Sequence, residues 1–148
     1  MDYSKKLTNV GSIGVNKFVN AKAKEQKPTI SISYLDKNKY NIKYLFKCSK
    51  GNNKCVEKFQ DFLYKASSYN SISDLVANHK PHDNLNNKDK LSNDKVTELR
   101  KKFNIDVDQL IHLHCCTNGN GPFVIHGFRI TNHFEIVWLD PKHEIHNK

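Results

Sequence analysis

The residues with the most chemical potential in this chain are its histidines: of eight, His112, His114, His126, His133, His143 and His146 fall near the C-terminal end. Imidazole titrates close to neutral pH, so a histidine there can move protons. In the segment Asp140-Pro141-Lys142-His143-Glu144-Ile145-His146, His143 and His146 are the candidate acid or base, with Asp140 as the helping carboxylate. His112 and His114 are two apart, which puts them on one face of a strand. With Cys116 or a histidine of the neighbouring hairpin they would suit zinc, because imidazole and thiolate are its preferred ligands. Their spacing matches no standard zinc motif, and no metal or other cofactor is otherwise called for. The plain alternative is that these histidines are half-buried sheet residues and a polar tail.

A second group is basic. Lys39, Lys43 and Lys47 recur at intervals of four, with Lys37 and Lys50 nearby, and would make a positive face for phosphates. The competing reading is a solvated outer face of a sheet. Arg129 is the other candidate for nucleic-acid contact; it and Arg100 are the chain's arginines. The formal net charge is +9, with a pI near 9.4. The positive excess lies in the first two thirds of the chain, and the last third is net acidic. Lysine binds phosphate as a point charge and lacks the fork with which arginine reads guanine, so contacts to backbone are expected rather than sequence-specific groove reading.

Several function classes lose support. No Walker loop, nucleotide-binding glycine fingerprint, serine nucleophile motif or HExxH is present. No stretch approaches the roughly 18 consecutive apolar residues of a membrane span, and the first residues do not read as a signal peptide. Cys48, Cys55, Cys115 and Cys116, the last two adjacent, form no regular disulfide framework and read as reduced thiols of a cytoplasmic protein. Mean hydropathy is -0.71, yet aromatic residues make up 10% of the 148, enough to expect a folded core.

The elements that must position these residues can be read from periodicity. Residues 1–27 show no strong period and read as a basic, flexible arm; residues 28–148 read as a single α+β domain. Alternation from Pro28 to Lys47, with Ile30, Ile32 and Tyr34, then Tyr40, Ile42, Tyr44 and Phe46, predicts a strand hairpin turning at Asp36-Lys37-Asn38. Val56, Phe59, Phe62, Leu63 and Ala66 predict an amphipathic helix. Ser71 reads as the N-cap of a second helix, and Asp94 as the start of a third through Val96, Leu99 and Phe103. A polar loop occupies about 79–93. Strands are expected at Leu110–Cys116, Phe123–Ile130 and Phe134–Asp140. A final loop of Thr131-Asn132-His133 would put Ile130 opposite Phe134, Phe128 opposite Ile136, His126 opposite Trp138 and Arg129 opposite Glu135. The sum is an antiparallel sheet of about five strands with two or three helices packed on one face.

The run His126-Gly127-Phe128, followed by Phe134-Glu135-Ile136-Val137-Trp138-Leu139-Asp140-Pro141-Lys142-His143, resembles the ending of a family of small uncharacterised prokaryotic and phage proteins. Val124 stands where that pattern has Arg, and His146 near its final Tyr. More distantly, the terminal hairpin is similar to the last strands of RelE-type toxins. That resemblance implies a small basic ribonuclease acting on mRNA at the ribosome, with basic and Tyr or His residues of the final strands as its active groups. The expectation is therefore a cytoplasmic RNA-binding protein of mobile-element or toxin–antitoxin character, with RNA or the ribosome, and an antitoxin, as partners and no membrane. The alternative is a non-catalytic protein-interaction module, such as a phage or defence factor.

Overall fold

A computed structural model describes residues 26–50, 54–79, 91–116 and 121–145. Most of the expected arm at 1–27, most of the loop at 79–93, and His146 lie outside these residues.

The elements run β1 (Thr29–Ser31), α1 (Ile42–Cys48), α2 (Cys55–Ala66), α3 (Ile72–Asn78), α4 (Asn93–Glu98), β2 (Ile111–His114), β3 (Val124–Ile130) and β4 (His133–Asp140). A five-residue π-helical stretch, Leu99–Phe103, extends α4, and a 3-10 turn, Val107–Gln109, precedes β2. The fold is α+β, with four α-helices and one four-stranded mixed sheet in the order β1-β4-β3-β2 among the described residues.

The expected N-terminal hairpin is absent, and with it the antiparallel five-strand count. Only Thr29–Ser31 forms a strand, and it runs parallel to β4, with Ile30 beside Phe134. Beyond it the chain turns: the Leu35 N–H donates to the Ile32 carbonyl (3.0 Å), and the Asn38 N–H to the Asp36 carboxylate (2.9 Å). Asn41 then caps a helix, its side-chain oxygen accepting the N–H of Tyr44 at 3.1 Å. The alternation of Tyr40, Ile42, Tyr44 and Phe46 competes with a second pattern, Ile42, Leu45 and Cys48 at intervals of three. The helical pattern wins because it buries Leu45 and Cys48 against the sheet. Phe46 is left 60% exposed.

Where periodicity is unambiguous, the expected elements form. The stripe Phe59, Phe62 and Ala66 is the buried face of α2, and the Ser71 hydroxyl accepts the Asp74 N–H (3.1 Å) at the start of α3. The last helix starts at Asn93, one residue before the expected Asp94, with Ser92 as its cap.

Helices lie on both faces of the sheet. On one, α1, α2 and α3 pack Leu45, Phe59, Phe62 and Leu75 against Leu113, Ile125, Phe134 and Ile136. On the other, Leu99 at the end of α4 joins Ile105, Val107, Leu110, Phe128 and Trp138. His112 and His126, alternating with Leu113 and Ile125, belong to the second face.

The β3–β4 hairpin turns through Thr131 and Asn132 alone, with Thr131 at φ 51°, so Ile130 pairs with His133. Arg129 is therefore opposite Phe134 and Phe128 opposite Glu135, one place from the expected register. Gly127 pairs with Ile136 and His126 with Trp138, leaving Val137 as an extra residue on β4. This bulge reverses the one-residue slip and restores the expected His126–Trp138 pair. Gly127 makes room for the crossing: a Cβ there would come within 2.3 Å of the Glu135 carbonyl oxygen and 2.7 Å of the Phe134 ring.

Candidate functional site

Two neighbouring groups of side chains stand out. The first is the lysine row. The four-residue interval keeps Lys43 and Lys47 on one side of α1 as it would on a strand, and Lys39, two residues before the Asn41 cap, joins them at the same groove. With Lys50, Tyr44 and Phe46 they line an open groove of about 600 Å³. Among the described residues no carboxylate lines it and no ion pair engages Lys43, Lys47 or Lys50.

Lys39 is held at the groove's end. Its ammonium donates to the Tyr40 hydroxyl (3.0 Å) and lies 3.5 Å from the Glu144 carboxylate. The hydrogen bond to Tyr40, reinforced by the charge of Glu144, raises its pKa above the ordinary lysine value. The Tyr44 hydroxyl also donates to Glu144, at 2.7 Å. Partial burial, followed by that hydrogen bond, pushes the Tyr44 phenol far above its usual value and keeps it neutral. Glu144 thus ties the groove to the turn that contains His143.

The second group is a histidine cluster on the α4 side of the sheet. His112 stacks on His114 with ring centroids 5.1 Å apart, lies 5.1 Å from His126, and meets His143 edge-on at 5.0 Å. His112 and His126 are buried, whereas His114 and His143 are half-buried. Trp138 packs beside His126, and the Lys95 ammonium sits 4.6 Å from the indole ring centroid while pairing with Glu98 at 2.6 Å.

Beneath the cluster lies Asp140, fully buried. One carboxylate oxygen accepts the Glu144 N–H (2.9 Å); the other accepts the Ile145 N–H (2.8 Å) and lies 3.7 Å from His126 Nε2. Burial alone would raise its pKa, but the neighbouring His126 imidazole and the two N–H groups outweigh it and hold the carboxyl below its ordinary value. Asp140 therefore orders the final turn and pairs with His126. The same turn puts His143 at φ 57°, its N–H reaching the Asp140 carbonyl at 3.3 Å.

The structure brings together residues that the sequence presented separately: His112 and His114, considered as zinc ligands, and His143, considered as an acid or base. Among the described residues no group of three or more His, Cys, Asp or Glu side chains is arranged to hold a metal. His112 and His114 meet as stacked rings, 28° apart, and not as convergent ligands with Cys116. Arg129 is elsewhere: its guanidinium donates to the Thr131 carbonyl (2.7 Å) and to Ser73 (3.4 Å), beside a different groove.

His79, expected at the head of a polar loop, is a buried clasp. Its Nδ1 lies 2.8 Å from the His114 carbonyl, which can only accept, so Nδ1 bears the proton and Nε2 accepts from the Tyr69 hydroxyl at 3.3 Å. The His79 carbonyl in turn accepts the His114 N–H at 3.1 Å. Burial lowers the His79 pKa. The signal was present in the helical stripe, which runs Ile72, Leu75, Val76 and on to position 79.

All four cysteines are free, and burial pushes the Cys115 thiol far up, making it inert. No described helix is long and apolar enough to cross a membrane. No protein-family model, curated protein or solved structure matches the chain.

Proposed function

We propose that this chain is an RNA-binding protein whose lysine groove takes the phosphate backbone and whose His143 does proton-transfer chemistry on the bound strand, making it a ribonuclease. The observation that supports this best is the groove itself: Lys43, Lys47 and Lys50 share it with no carboxylate among the described residues, and Glu144 joins it to the turn of His143. Phosphate binding by lysines releases counterions and needs no base-reading fork, which suits a chain with 22 lysines beyond its two arginines among 24 basic residues. His143 is, with His114, a half-exposed member of a cluster whose deeper rings and Asp140 set its position. On this reading the protein works in the cytoplasm, in a mobile-element or toxin–antitoxin setting. RNA or the ribosome is its partner, and an acidic antitoxin is the kind of protein that would cover the groove.

The test is binding of a labelled RNA across a salt series. Affinity should fall steeply with salt, and the double variant Lys43→Gln/Lys47→Gln should weaken binding and lower the slope of log K against log salt by about 0.7 to 1 per lysine. Salt-independent binding, or a double variant that binds as the parent does, sinks the proposal. If RNA is also cut, His143→Ala should lose cutting while keeping affinity; retained cutting removes His143 from the chemistry.

A protein-interaction role is the second reading. Exposed Ile32, Tyr34 and Ile130 favour it, and it predicts association that added salt leaves largely intact.

A further inference from the structure

Resting on the nucleic-acid reading of the groove, we infer that its ligand is single-stranded, with a base stacked on the ring of Phe46 while Lys43 and Lys50 hold the flanking phosphates. The helix α1 has two sides. Ile42, Leu45 and Cys48 pack toward the core, and the opposite stripe runs Lys43, Phe46, Lys47 and, just past the helix end, Lys50. These positions follow the i, i+3, i+4, i+7 spacing of a single helix side. Phe46 therefore has a lysine one turn before it, one beside it and one a turn after it.

A single exposed apolar side chain on a protein surface ordinarily calls for no explanation. Phe46 differs in its surroundings: it lines the groove with four lysines, of which only Lys39 faces a carboxylate among the described residues, at 60% exposure, while α1 already anchors itself through Leu45 and Cys48. An aromatic face among phosphate-binding cations is the arrangement that holds single strands, because every base presents a π-face and stacks with little regard to sequence. A duplex keeps its bases stacked on one another, and α1, seven residues long and without arginine or base-reading amides on this stripe, has no means of reading their edges. Tyr44 is not an equivalent platform: its hydroxyl is committed to Glu144 and its ring packs edge-on against Tyr40.

The experiment uses the full chain, with labelled oligo-U and oligo-A of about 12 nucleotides, a duplex of the same length, and vesicles of phosphatidylserine and phosphatidylcholine. Both single strands should bind more tightly than the duplex. Phe46→Ala should weaken single-strand binding about tenfold while leaving the salt slope unchanged. Phe46→Trp should restore it, and the new indole should be quenched on binding, while the native Trp138, fully buried, stays silent. Tight single-strand binding by Phe46→Ala, a preference for the duplex, or binding to the vesicles in place of the oligonucleotides overturns the stacking inference. Salt-sensitive binding that ignores Phe46 leaves the phosphate-groove reading standing, whereas failure to bind any oligonucleotide overturns both.

Discussion

The lysine groove and the histidine cluster meet at Glu144 but are built in opposite ways. The groove comes from one short helix and the residues just before and after it, and its charged groups stand in solvent. The cluster draws His112 from β2, His126 from β3, Asp140 from β4 and His143 from the turn beyond, and its deepest members are fully buried. A charge in water is cheap to alter, while a buried polar network loses stability when any member is left unsatisfied. Loss of function in a groove variant therefore reports on binding, whereas in the buried histidines it reports first on folding. His143, half-exposed at the boundary, is where the two can be separated.

This contrast should be visible as a ranking of stability effects. The largest belongs to the hairpin that positions the cluster: Gly127→Ala drives a methyl into the Glu135 carbonyl and the Phe134 ring and should cost about 3 kcal/mol in urea denaturation. A loss below about 1 kcal/mol would show that β4 can move aside. Next is Asp140→Asn, which removes the charge that His126 faces and should cost about 2 kcal/mol at pH 7. Because the folded carboxyl has the lower pKa, its contribution is present above the ordinary carboxyl value near 4 and disappears as pH falls through the folded value. The variant's acid-unfolding limb should be correspondingly flatter, and an unchanged limb would mean that Asp140 is not ionised in the fold.

His79 has the reverse sign. Its folded pKa is depressed, so the unfolded chain binds the proton first, and stability should decline as pH drops below about 6.5. His79→Gln should cost about 1 kcal/mol at pH 7.5 and reduce that decline in thermal melts between pH 7.5 and 5.5. A slope identical to the parent's would assign the decline to other groups. The smallest effect is at the groove, where Lys43→Gln/Lys47→Gln should change stability by less than about 0.5 kcal/mol, even though its RNA affinity falls. A large destabilisation there would erase the distinction between the two regions.

The sequence already showed which faces are apolar wherever one period dominates. Phe59, Phe62 and Ala66 can only be a helix face, Ser71 is a cap, and the strands at 111–114, 124–130 and 133–140 follow from local pattern. The lysine row was also legible, because an interval of four keeps side chains together in either kind of element. Where two periods overlap, as at Tyr40 to Cys48, the local pattern is undecided and the long-range burial of Leu45 and Cys48 chooses the helix.

What only the tertiary structure decided is which of these faces meet. β1 finds β4 across about a hundred residues of chain, and a two-residue turn with a compensating bulge sets the Gly127–Ile130 pairing while keeping the His126–Trp138 pair that the sequence already suggested. His112, His114 and His143 were each visible as histidines, but their contact depends on that register and on Asp140 folding the last turn back over β2. Periodicity is a property of neighbours along the chain and can be read from them. Convergence depends on the burial of surfaces far apart in sequence, and it is settled only when those surfaces pack.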